Sequence, residues 1–182
     1  NTNYRIKVVL SSTATETFEE NSVTLDCWTT DGPGNWTIGT GDYSASTGAL
    51  QGNSNAKITH GTTGNVTKFI SPVLSGVTNG LQLTFAHIQR SWAGDIDNLA
   101  VYYRTSSDAA WQQVVSYTDA VAAWTVESVT IPGTIYQVAF EYTDNYGYGV
   151  GIDSIAFNLP LACMPVVNLT ASNITATGAT LS

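Results

Sequence analysis

Carboxylates, histidines and ring-bearing turn residues are the groups in this chain whose types and spacings could do chemistry. Asp153, in the run VGIDSIAF, is the most informative of them. Strand alternation places it on one face with Ile155 and Phe157 and so points it to the interior. An unpartnered buried charge is costly, so the side chain must be protonated, paired, metal-bound or held by backbone amides at a strand end. Asp95, Asp97 and Asn98 in SWAGDIDNL form a second oxygen-rich set. Asp-x-Asp is a spacing that calcium loops use, but the EF-hand pattern is absent, and the plainer reading is a solvated hairpin.

His60 and His87 are the only histidines, and neither lies in a nucleophile or zinc motif. No GxSxG elbow or HExxH pair occurs. His87 alternates with Leu83 and Phe85, which makes it a sandwich-facing side chain with a structural hydrogen bond. A glycosidase needs two carboxylates facing one sugar, and Glu127 with Glu141 is the pair left open. The expectation is a chain that binds and does not catalyse. Trp28, Trp36, Trp111 and Trp124 fall at strand-like positions and read as core. Trp92, Tyr146 and Tyr148 fall in turns beside acidic and amide side chains. Rings in that setting hold glycans by stacking on apolar sugar faces; their alternative use is to plug the ends of the fold.

The elements that must carry these residues are strands. Leu81, Leu83, Phe85 and His87 alternate with polar neighbours; so do Leu99, Val101 and Tyr103, and Tyr136, Val138, Phe140 and Tyr142. VGIDSIAF is apolar on both faces and reads as a central strand. DGPGN, GTTGN, SGVTNG and NYGYG mark turns. YTDAVAAW is the one segment that could pass for helix, and it reads as a loop with at most a helical turn. About ten short strands without a substantial helix predict an all-β fold of two packed antiparallel sheets, a sandwich of jelly-roll, galactose-binding-like type. The prolines of NLPLACMP mark a linker, and the alternation that resumes after it is too short to bury a core of its own. The expected organisation is residues 1–10 as the end of a preceding module or a first strand, 11–160 as the main domain, and 161–182 as linker and the truncated start of another domain.

The 182 residues are 43% hydrophobic and 11% charged, with a net charge of −8. That field repels a phosphate backbone and argues against nucleic acid as a partner, and bound divalent cations would relieve it. No apolar run approaches the roughly 20 residues of a membrane span. A polar surface built from Thr, Ser, Asn and Gly suits a secreted or cell-surface module. In that compartment Cys27 and Cys163, at opposite ends of the strand-rich region, are candidates for a disulfide.

NLAVYYRTSSDAAWQQV, AAWTVESVTIP and YQVAFEYTDNYGYGVGIDSIAF, with TFEEN, CWTTDGPGNW, FISPVLSG and WAGDIDNL before them, resemble the bacterial MAM-like jelly-roll domains. These include the cleaved-adhesin modules of surface proteins and secreted proteases of Bacteroidetes. The resemblance runs from about Thr15 to Phe157. PVVNLTASNITATGATLS is similar to the opening of a fibronectin type III domain. The resemblance implies an adhesion or interaction module whose partners are a host or matrix protein or glycan and neighbouring domains of its own chain; a carbohydrate-binding module attached to a secreted hydrolase or protease is the second reading. It also implies structural calcium, with Glu19 of the FEE segment joining Asp153 as ligand, and Glu20, Asp26 and Asp31 close by in sequence. Animal MAM domains carry four cysteines and this chain has two, so their disulfide pattern does not carry over.

Overall fold

The computed structural model describes residues 14–22, 24–43, 47–158, 171–175 and 178–181. Among these residues eleven strands build the sandwich: β1 (Ala14–Glu16), β2 (Thr29–Asp31), β3 (Thr37–Gly39), β4 (Asn55–Ile58), β5 (Val66–Ile70), β6 (Leu81–Gln89), β7 (Asn98–Arg104), β8 (Gln112–Tyr117), β9 (Val121–Ile131), β10 (Gln137–Thr143) and β11 (Val150–Asn158). One sheet has the order β3-β4-β11-β6-β9, with β1 also on β11, and the other β2-β5-β10-β7-β8. Every pairing is antiparallel. The fold is therefore the all-β, two-sheet sandwich that the period-two patterning predicts. Helical structure among the described residues is confined to 3-10 turns, as at Leu25–Cys27, and no helix among them is long and apolar enough to cross a membrane.

The alternating residues meet between the sheets. Leu81, Leu83 and Phe85 of β6 face Leu99 and Val101 of β7 and Val138 and Phe140 of β10 in one buried cluster. At one end Trp28 stacks on Phe69 with ring centroids 4.8 Å apart, and Phe18 packs on Trp28 at 5.7 Å. A fully buried phenylalanine contributes about 1.5–3 kcal/mol, so Phe18, Phe85 and Phe140, each 0% exposed, are among the largest single contributions to the core.

Two features of the first sheet position Asp153 and the loop that covers it. β1 pairs with residues 155–157 of β11 and β4 with residues 150–152. With β6 on the opposite edge, β1 and β4 lie end to end along one edge of β11, and Asp153 and Ser154 occupy the gap. The described parts of the segment 40–54, residues 40–43 and 47–54, lie against the outside of this sheet, where the Trp124 indole donates to the Gly48 carbonyl at 3.0 Å.

Several expectations are corrected. Trp28 and Trp36 are core, but Trp111 and Trp124 are only half-buried: the Arg104 guanidinium lies 4.8 Å from the Trp111 ring, and Trp124 braces the 40–54 segment. VAAW enters β9, because pairing with β6 extends to Gln89↔Val121. Residues 1–10 and Cys163 lie outside the described residues; Cys27 is exposed. Within 161–182, Ala171–Thr175 and Gly178–Leu181 (β12 and β13) pair as a two-stranded antiparallel sheet.

Candidate functional site

At one end of the sandwich the loops carry Tyr43, His60, Trp92, Tyr146, Gly147 and Tyr148 around a cleft of about 200 Å3. The three turn aromatics singled out in the sequence, Trp92, Tyr146 and Tyr148, thus converge, and Tyr43 and His60 join them. Trp92 meets Tyr148 edge-on at 5.1 Å and 81°, Tyr43 tilts against Tyr148 at 5.5 Å, and His60 meets Tyr146 at 4.7 Å and 73°.

Buried carboxylates hold these rings in place. Asp97, at the start of β7, accepts hydrogen bonds from the amides of Asn145 at 2.8 Å, Gly147 at 2.9 Å and Gly149 at 2.6 Å, which ties down the turn bearing Tyr146 and Tyr148. A Cβ on residue 147 would stand 2.6 Å from Asp97 Oδ2, so that approach needs glycine. Asp144, at the end of β10, accepts from the amides of Gly61 at 2.7 Å and Tyr146 at 3.1 Å and bonds His60 Nδ1 at 2.7 Å. Burial works to raise its carboxyl pKa, but the Gly61 amide, His60 and the Tyr146 amide together hold it below its ordinary value. Beneath both, the Tyr142 hydroxyl lies by the two carboxylates with no hydrogen-bond partner among the described residues; burial first, then the charges of Asp97 and Asp144, push its pKa far up and keep it protonated. The third anchor is the pair of Arg90 with buried Asp42: Nε to Oδ2 at 2.7 Å and Nη2 to Oδ1 at 2.9 Å. The same guanidinium sits 5.0 Å from the Tyr148 ring. Of the two aspartates in SWAGDIDNL, Asp95 lies in the exposed turn closed by its backbone bridge to Trp92, whereas Asp97 is 1% exposed. The solvated-hairpin reading fails for Asp97.

The second carboxylate site is the β1–β4 gap. Asp153 is fully buried, but not by the core. Ser154 has φ +51° and the pairing with β6 shifts between Asp153 and Ala156. This bulge resets the alternation, so Ile152 and Ile155 both enter the core while Asp153 turns to the 40–54 segment. There its Oδ2 accepts from the amides of Leu50 and Gln51, both at 2.9 Å, and its Oδ1 from Ser154 at 2.6 Å. Glu19 Oε1 accepts from Asn53 at 2.8 Å and Ser54 at 2.9 Å, so both carboxylates grip one loop from two sides. Burial is the main cause of a raised Asp153 pKa; three amides oppose it and the negative charge of Glu19 adds to it.

The residues present fit a hard cation in part. Asp153 and Glu19 are oxygen donors with two like charges close enough to repel, and Glu19 Oε2 accepts no hydrogen bond among the described residues. A Cβ on Gly52, at φ +69°, would stand 2.3 Å from Glu19 Oε1, so glycine leaves the carboxylate room. No group of three or more His, Cys, Asp or Glu side chains gathers anywhere among the described residues, and an ion at the gap would have to complete its shell from backbone carbonyls and water. Glu20, Asp26 and Asp31 are exposed and form no such group with the pair.

Sequence reasoning missed Glu16, Asp42 and Asp144. Glu16 is buried and caps the next turn, accepting from the Phe18 amide at 2.6 Å, Ser22 Oγ at 2.7 Å and the Thr24 hydroxyl. Glu127 and Glu141 do not face each other: Glu141 pairs with Lys68 on the outside of the second sheet, and Glu127 belongs to β9 of the first. His87 does face between the sheets, but its expected hydrogen bond is missing. Its Nε2 lies 3.7 Å from Glu127, neither ring nitrogen has a hydrogen-bond partner among the described residues, and burial lowers its pKa against the pull of Glu127.

No protein-family model matches the chain, and no curated protein matches it. Solved structures do. The chain is similar to the K1 cleaved adhesin domain of Lys-gingipain from Porphyromonas gingivalis W83, with a TM-score of 0.67 and 19% identity over 81% of this chain and 98% of that one. The K2 cleaved adhesin domain of Lys-gingipain gives 0.64 and 18% over 81% and 98%. The CBM22-1 xylan-binding domain of Paenibacillus barcinonensis Xyn10C gives 0.55 and 18% over 82% and 95%. These likenesses establish that the chain has the sandwich of the cleaved adhesin domains, the architecture that the sequence resemblance implied.

Proposed function

We propose that this chain is a non-catalytic adhesion module of a secreted or cell-surface protein, that it recognises a glycan through the loop-end cleft, and that calcium braces its frame. The observation that carries this reading is the exposure of the rings. Trp92 is 46%, Tyr146 50% and Tyr43 61% exposed, whereas rings that plug a sandwich end are buried like Trp28. Their anchors, Asp97, Asp144 and the Arg90–Asp42 pair, lie below them and are saturated by amides, His60 and guanidinium. Such a floor presents apolar faces in a fixed arrangement, which limits the ordering cost of binding. The xylan-binding domain that shares the sandwich lends support, as do the cleaved adhesin domains.

Calcium would be held by Glu19 and Asp153, with the loop between residues 50 and 54 beside them. It would supply neutralising charge to the buried Asp153 and the half-buried Glu19 beside it, a carboxylate pair that no basic side chain serves among the described residues. Asp95 takes no part in this site.

The test is a printed glycan panel probed with the wild type and with Trp92→Ala. Retention of one or more glycans by the wild type, lost or weakened about tenfold or more in the variant while melting is unchanged, is the expected result. Equal retention by the two proteins would rule out the cleft as the glycan site.

A further inference from the structure

The shape of the cleft narrows the kind of glycan it takes. Resting on the glycan reading of the loop end, we infer that the cleft binds a single terminal sugar residue and not an internal stretch of a polysaccharide. Two observations carry this. The first is size: about 200 Å3 falls below the roughly 300–1,000 Å3 of sites that enclose drug-sized ligands, and gives room for one sugar ring with its substituents.

The second is the orientation of the rings. A groove for a chain needs successive faces in line, so that successive residues each find a platform. Here neighbouring rings stand across one another. Trp92 meets Tyr148 at 81°, His60 meets Tyr146 at 73° and Tyr43 is tilted 43° from Tyr148, so none of these pairs offers parallel faces in succession. Arg90 takes up a further part of Tyr148, with its charge already committed to Asp42. The walls are held stiffly: the amides of residues 145, 147 and 149 are bonded to Asp97, and Tyr146 holds φ +72°, a conformation that a free chain seldom keeps. Lengthening the cleft would require these bonds to break. A ring therefore enters end-on, and its chain leaves toward solvent.

The experiment uses the methyl glycosides of glucose, galactose, mannose, xylose, fucose and N-acetylglucosamine. Each sugar is also presented as the terminal residue of an oligosaccharide, and again in the same oligosaccharide capped by a panel sugar that does not bind. Binding is read by calorimetry on the whole chain. The expected result is that a methyl glycoside binds within about threefold of its oligosaccharide, and that the cap lowers affinity at least tenfold. Affinity that climbs with chain length and survives capping would overturn the inference and leave the glycan reading standing. Failure of the wild type to bind any uncapped member of the panel would sink both.

Discussion

The two ends of the 40–54 segment hold buried aspartates in opposite electrical circumstances. Asp42 at one end has a bidentate guanidinium, and its neighbourhood is a finished aromatic floor. At the other, Asp153 has three backbone amides and a second carboxylate, and no basic side chain reaches it among the described residues. Amides stabilise a carboxylate without cancelling its charge, so the second end keeps a deficit that the first does not. The difference separates the parts of this loop: the neutralised end presents a ligand surface, and the charged end is where a bound cation would fasten loop to sheet.

Breaking the neutralised end should have the largest effect. Arg90→Met leaves Asp42 buried, with Thr47 as a remaining partner. Stranding one member of a buried pair costs about 3–5 kcal/mol, and with that partner left a loss of roughly 3 kcal/mol is expected in denaturant unfolding. Asp42→Asn should cost less than Arg90→Met, because a neutral amide can stay buried; the reverse order would show that Asp42 stabilises the loop chiefly through partners other than Arg90.

The charged end is sharpened by adding what it lacks. At free calcium of about 100 times its dissociation constant, binding to the folded state alone is worth ~2.7 kcal/mol, which in a chain of this size raises Tm by roughly 5–10 °C. Asp153→Asn and Gly52→Ala should each abolish this response, the second without changing any charge, and Asp95→Asn should preserve it. Identical melting of the wild type in calcium and in chelator would refute the cation and leave Asp153 as a carboxylate held by amides.

The contrast between Asp153 and Asp97 shows what the sequence discloses and what it hides. The strands were legible because alternation is a local signal: β6, β7, β10 and β11 lie where the pattern puts them. The turn rings were legible as a group from their acidic and amide surroundings. The side to which Asp153 points was not, since a single positive-φ residue, Ser154, inverts the parity of everything before it. Asp97 was misread because its three amide donors lie about fifty residues downstream, and Asp42 and Asp144 passed unnoticed because the partners that make them important, Arg90 and His60, lie 48 and 84 residues away. A smaller loss tests that structural reading. Asp97→Asn keeps the shape but weakens three charge-assisted bonds, so about 1–2 kcal/mol of stability should go, with weaker glycan retention because the Tyr146 turn loosens.

The smallest expected effect is in pH dependence, and its sign differs between two aspartates. Asp144 lies below the ordinary value of 3.8, so the stability it contributes is present above that value and fades as pH falls through its own lower one. Asp153 lies above 3.8; its folded form holds the proton more tightly than the unfolded chain, so in chelator its contribution declines as pH rises from 3.8 through the raised value. Titration of the two carboxyl carbons by NMR, repeated with calcium, should show Asp144 unmoved and Asp153 shifted down. Parallel behaviour of the two would erase the distinction.

Whether the loop-end rings are the recognition surface is decided by mapping amide chemical shifts while the chain is titrated with the methyl glycosides. A binding sugar should move the amides of residues 42–43, 60–61, 90–97 and 144–149 and leave the outside of the second sheet, around Lys68, Tyr102 and Glu141, unchanged. Shifts centred on that sheet face, with the loop end still, would contradict this assignment.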